Sequence, residues 1–206
     1  MSRGRVAGLG LALALACGLP APAWPDGLRA SAQLARELGA ARRAEATLRY
    51  ELPGAPGSRP RPMSGTLALE APDRVRLDMS GTGERLVARG DGGEWLQPAT
   101  KQLLRFGAGQ ASPALRWWRV LLGEAAGVRE RRIAPRRYVL VQGAAAGFAD
   151  SATVWLDARG LPARLDLPGG DGVMTYRLSG WRFARARGPA GFRLTAPAGF
   201  ETVDLP

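Results

Sequence analysis

Few residues in this sequence are equipped for chemistry. Histidine is absent. That removes Ser-His-Asp and Cys-His nucleophilic arrangements, histidine general bases and histidine metal sites. The one cysteine, Cys17, lies near the N-terminus, so the remainder of the chain has neither a disulfide nor thiolate chemistry. Carboxylates remain. Asp73, Asp78, Glu84 and Glu94 are candidates for an acid/base pair, because two carboxylates suffice for glycoside hydrolysis. No spacing singles out a pair. No catalytic residue, metal site or cofactor is therefore expected, and the chain reads as a binding protein rather than an enzyme.

The first 23 residues read as a secretory signal peptide. Arg3 and Arg5 open it, Val6 to Ala16 is an apolar run, and Ala21-Pro22-Ala23 supplies small residues for cleavage before Trp24. The run is shorter than the about 20 residues that span a bilayer. Leu13-Ala14-Leu15-Ala16-Cys17 also fits a permissive lipobox. Two outcomes stay open. Cys17 is discarded with the signal, giving a periplasmic protein, or it is lipidated and anchors the chain in the envelope. Export separates the protein from nucleic acid, so the net charge of +11 does not indicate a nucleic-acid partner.

Residues 24–206 read as one domain, long enough to bury a core without a disulfide. Leu28 to Leu38 has helical spacing, with Asp26 as N-cap candidate. The period then changes to two. Ala46, Leu48 and Tyr50 alternate with polar neighbours, as do Gly65, Leu67 and Leu69, and then Val75, Leu77 and Met79. Further strands are expected over 84–89, 94–97, 101–106, 136–142, 152–157, 161–167 and 173–184. Gly90-Asp91-Gly92-Gly93, Asp157-Ala158-Arg159-Gly160 and Gly169-Gly170-Asp171-Gly172 supply hairpin turns. Nine or ten short strands predict one antiparallel sheet, curled or barrel-like.

One segment interrupts the strands. Ser112-Pro113 is a helix start, and Leu115, Trp117, Trp118, Val120, Leu121 and Leu122 follow before Gly123. A helix apolar on nearly every side must be covered. The curled sheet either packs solid against it or encloses an apolar cavity; periodicity does not separate these. Arg129-Glu130-Arg131-Arg132 and Arg136-Arg137 form a basic cluster. It reads as a solvated face, or as a contact for anionic headgroups or an acidic partner.

Several motifs carry a resemblance. They are Ser64-Gly65-Thr66-Leu67 with Ala71-Pro72-Asp73-Arg74-Val75-Arg76-Leu77, and Asp91-Gly92-Gly93-Glu94-Trp95-Leu96-Gln97-Pro98 with Lys101-Gln102-Leu103. The apolar helix at Ser112-Pro113 and the ending from Phe192 to Val203 continue the series. In this order they resemble the outer-membrane lipoprotein carrier family, LolA. The resemblance implies an α+β fold, mainly antiparallel β: an unclosed half-barrel of about ten strands with an N-terminal helix and a mid-chain lid helix.

It also implies a periplasmic monomer that carries lipoprotein acyl chains, or a related lipid, toward the outer membrane. An inner-membrane donor complex and an outer-membrane acceptor are its implied partners. The expected cavity residues are Leu67, Leu69, Val75, Leu77, Met79, Trp95 and Leu103. Leu115, Trp118 and Leu122 of the lid are expected to fill the space until acyl chains displace them. The family's arginine before the strand-opening proline is Ala71 here, so a lid latch is missing or supplied elsewhere, with Arg74 and Arg76 as candidates. A lipidated acceptor similar to LolB, an envelope lipid sensor and a carboxylate-based hydrolase are the alternatives.

Overall fold

Alternation of apolar and polar residues pairs strand after strand into one sheet. The structure, a computed structural model, describes residues 27–52, 61–90, 92–107, 113–143, 151–169 and 172–205. The signal segment with Cys17, and the cap candidates Asp26 and Ser112, lie outside the described residues. Helix α1 spans Ala32–Ala41 and is followed by β1 (Arg43–Leu52), β2 (Arg61–Glu70), β3 (Arg74–Met79), β4 (Arg85–Arg89), β5 (Gly92–Gln97) and β6 (Gln102–Gly107). Helix α2, Pro113–Leu121, comes next. The chain continues through β7 (Val128–Ala134), β8 (Arg137–Gln142), β9 (Ser151–Leu156), β10 (Pro162–Gly169) and β11 (Gly172–Ala184). A 3-10 turn at Pro189–Phe192 precedes β12, Glu201–Asp204.

All twelve described strands join one sheet in the order β12-β6-β5-β4-β3-β2-β1-β11-β10-β9-β8-β7. The two ends do not meet, so the sheet is an unclosed half-barrel. It is antiparallel except at one edge, where β12 runs parallel to β6 with Glu201 opposite Gln102. The turns follow from their residues. Asp157 Oδ1 accepts the amide hydrogens of Arg159 and Leu161 at 2.8 and 2.9 Å, which closes the β9–β10 hairpin.

Two strands exceed the expected ten. β12 overlaps the ending that carried the resemblance. β7 coincides with the basic cluster, whose alternation of Arg and Glu offers no apolar face to read. Its Glu130 has a structural role: the carboxylate accepts the amide hydrogens of Arg29 at 3.0 Å and Ala30 at 2.7 Å, at the entry to α1. That helix begins four residues inside the stretch predicted from spacing. Residues 29–31 form a turn, in which Ser31 N donates to Leu28 O at 3.0 Å.

The core fills the concave side. Leu34 and Leu38 of α1 are fully buried there, and α1 packs on β1 and β11. Helix α2 packs on β3 from the same side. Its Leu115, Trp117, Trp118, Val120 and Leu121, and Leu122 just after it, are all buried, which is the cover so apolar a helix requires. A second, smaller apolar layer lies on the convex side of β4–β6, where Val87, Leu96 and Leu103 are buried. Residues 185–200 run over this side and bury Phe192 against it.

Candidate functional site

The concave face is not filled from end to end. Beside α2 lies an apolar cleft of about 570 Å³, within the about 300–1,000 Å³ typical of ligand sites. Register explains its lining. Leu77 on β3, Leu86 on β4, Trp95 on β5 and Leu104 on β6 stand opposite one another in a continuous row. Leu48 and Tyr50 of β1, Met63 of β2 and Tyr176 of β11 extend the wall. Met79, Phe106 and Leu205 complete it, and Leu115 reaches in from the first turns of α2. Among the described lining residues, only Thr82 and Glu84 bring polar side chains other than the two phenols.

The tyrosines connect cleft to helix. Tyr50 and Tyr176 stack with centroids 5.7 Å apart, and Trp118 of α2 meets Tyr176 edge-on at 5.4 Å. Burial pushes the Tyr176 phenol up to about 12, with the neighbouring Tyr50 adding to the shift. Burial also raises Tyr50, and the Glu84 charge adds to it. Both phenols therefore stay neutral, which suits an apolar wall. The Trp118 Nε1 is buried with no hydrogen-bond partner among the described residues.

Of the residues expected from sequence, Leu77, Met79, Trp95 and Leu115 line the cleft. Leu67, Leu69, Val75, Trp118 and Leu122 are packed in the concave core next to it. Leu103 belongs elsewhere and the expectation is corrected. It pairs with Leu96 while Leu104 pairs with Trp95, so Leu103 faces the convex layer. Two adjacent leucines leave the inward one undecided from alternation alone. Leu86, Phe106 and Tyr176 also line the cleft at positions that alternation could have placed, Leu104 takes the position expected of Leu103, and Leu205 carries no signal in the sequence.

The latch candidates are likewise corrected. Arg74 bonds Glu70 at 2.6 Å, while Arg76 bonds Asp78 and the carbonyl of Gly191. Both alternate with inward-facing Val75 and Leu77 and so point away from α2. The four candidate acids do not converge in the cleft. Asp73 accepts the Gly90 amide hydrogen at 2.8 Å, Glu94 accepts that of Leu194 at 2.6 Å, and only Glu84 borders the cleft. Asp78 and Glu84 share an adjoining polar hollow with Arg76 and Arg85, where both arginines pair with Asp78. Among the described residues, no cluster of three or more Asp, Glu, His or Cys could hold a metal ion. None of the described helices is long and apolar enough to cross a membrane.

An open half-barrel with an apolar cleft beside a buried helix is the class that fold and site define. The fold aligns with an uncharacterized conserved protein from Thermus thermophilus at TM-score 0.50 and 16% identity, over 85% of this chain and 97% of that one. A LolA superfamily protein from Nitrosomonas europaea aligns at TM-score 0.48 and 8% identity, over 80% and 96% of the two chains. A DUF1329 family protein from Desulfovibrio piger aligns at 0.45 and 10%, over 80% and 95%. At such identities the likeness is one of fold, and function is argued from the site. No protein-family model matches the sequence, and no curated protein matches it significantly.

Proposed function

We propose that this protein is a non-enzymatic lipid carrier of the cell envelope, which holds acyl chains of lipoproteins or a related lipid in its apolar cleft. The carrying observation is the cleft itself: about 570 Å³ walled almost entirely by Leu, Met, Phe, Trp and Tyr. Each buried CH₂ stabilises the bound chain by about 0.8 kcal/mol. A closed pocket would hold several chains too tightly to release. Here α2 moderates affinity. Leu115 already reaches the cleft, and longer chains displace Trp118 and Leu122, exposing Leu67, Leu69 and Val75 behind them. Helix and ligand thus compete for one surface.

In this reading residues 1–23 direct export, and residues 24–206 act as a monomer between a donor complex at the inner membrane and an acceptor at the outer membrane. Mass spectrometry of the mature N-terminus separates a soluble carrier, starting at Trp24, from one anchored through a lipidated Cys17.

The decisive experiment is titration of the delipidated protein with a fluorescent fatty acid. The wild type binds, and Leu115→Glu and Met79→Glu each abolish binding. Met79 is half-exposed, so its variant keeps the test readable where Leu115→Glu fails to fold. A folded wild-type protein that binds no acyl probe ends the proposal.

A further inference from the structure

A cross-strand row of arginines marks the outer face of the other half of the sheet. Strand register sets Arg137, Trp155, Arg164, Arg177 and Arg49 side by side on β8, β9, β10, β11 and β1. All five face outward, because their chain neighbours Tyr138, Val154, Leu165, Tyr176 and Leu48 are buried on the concave side. Arg129 and Arg131 extend the patch along the edge strand β7, opposite Val141 and Val139. Trp155 is flanked by the guanidinium groups of Arg137 at 4.6 Å and Arg164 at 4.5 Å.

Among the described residues the charge on this face is incompletely balanced. Asp166 holds Arg164 through two hydrogen bonds, 2.8 and 2.6 Å long, and Glu51 lies 3.7 Å from Arg177. Arg49, Arg129, Arg131 and Arg137 remain exposed. Like charges directly opposite one another destabilise a sheet, and Arg164, Arg177 and Arg49 are so placed. The convex side of β4–β6 is covered by the C-terminal segment, whereas these arginines are open to solvent.

We propose that this face docks on the surface of an anionic phospholipid bilayer. A row five strands wide extends about 19 Å at the usual strand spacing. Planar guanidinium forks match phosphate groups, and an indole with an apolar body and a polar edge suits the headgroup level. A protein partner would call for an apolar interface centre. The apolar side chains here, Trp155 with half-buried Val139 and Val141 of β8, are small in area and flanked by Arg129, Arg131, Arg137 and Arg164, so they do not form a broad apolar centre. This inference goes beyond the carrier reading and stands without it.

Co-flotation with vesicles tests it. The purified protein is expected to float with phosphatidylcholine mixed with phosphatidylglycerol, to stay behind with phosphatidylcholine alone, and to be released by high salt. The Arg137→Gln/Arg177→Gln variant is expected to lose affinity about tenfold or more, with its circular dichroism and acyl-probe binding unchanged. Equal binding by the variant, equal binding to neutral vesicles, or capture only by an acidic protein overturns the proposal. Loss of acyl-probe binding with vesicle docking retained defeats the carrier reading and leaves this one intact.

Discussion

The indole of Trp118 meets the ring of Tyr176 edge-on, with centroids 5.4 Å apart and planes at 83°. One residue belongs to α2, the other to the cleft wall, so this contact seats the helix on the sheet. Edge-to-face pairs contribute about 0.5–1.5 kcal/mol beyond the area they bury. Trp118→Ala also leaves a cavity, and it is expected to lower stability by about 3–5 kcal/mol. Trp118→Phe keeps the ring contact and removes the Nε1 donor, which is buried without a partner among the described residues. Burying such a donor costs about 1–3 kcal/mol, which offsets the smaller ring. Chemical denaturation should place the Phe variant near wild type. A loss as large as that of the Ala variant would show that the Nε1 group contributes to stability.

Adjacent leucines on β6 provide a test of which face binds. Leu104 lines the cleft opposite Trp95, and Leu103 is buried on the convex side opposite Leu96. Leu104→Ala is expected to weaken acyl-probe binding with little loss of stability, because its site is partly open. Leu103→Ala is expected to cost about 2–5 kcal/mol of stability and leave affinity unchanged. Exchange of these two phenotypes in titration and melting would contradict the face assignment.

Tyr176 predicts an alkaline limit. Its phenol ionises at about 12 in the folded chain, against the ordinary 10.0, because burial disfavours the charged form. The folded state therefore holds this proton more tightly than the unfolded one. The resulting stability is complete below about pH 10 and is lost as pH rises toward 12. A shift of this size corresponds to about 2–3 kcal/mol. Tyr176→Phe has no such proton to lose, so its stability should fall less steeply over that window. Arginines are common to both proteins and cancel in the comparison. Parallel curves from denaturation at several alkaline pH values would contradict the assignment.

The sequence made some of this legible for identifiable reasons. Val75, Leu77 and Met79 alternate with charged neighbours, and their strand forms as read. The run from Leu115 to Leu122 is too apolar to lie on a surface, and it is buried. β7 escaped because Arg129, Glu130 and Arg131 alternate without an apolar face. The cover over the convex side escaped for another reason. Glu70 and Glu94 look like ordinary outward acids of alternating strands, yet both are buried by residues more than ninety positions away in the chain. Local pattern carries no information about such distant partners.

Those two acids give the last prediction. Glu70 is fully buried and accepts the amide hydrogens of Arg187 at 2.6 Å and Gly188 at 3.2 Å, together with the Arg74 guanidinium at 2.6 Å. Glu94 captures the Leu194 amide hydrogen. In the other direction, Arg76 and Arg89 donate to the carbonyls of Gly191 and Phe192 at 2.8 and 2.9 Å. The C-terminal segment is thus held by carboxylates and guanidiniums over the convex layer, with Phe192 as its apolar anchor. Glu70→Ala strands one cation and two amides, and breaking a buried pair costs about 3–5 kcal/mol. Glu70→Gln keeps the shape and one acceptor, so a smaller loss of about 1–3 kcal/mol is expected. Hydrogen exchange should accelerate first at Arg187 and Gly188, and proteases should cut within 185–200, while amides of α2 keep their protection. Uniform acceleration across the chain would mean that the clasp and the half-barrel unfold as one unit.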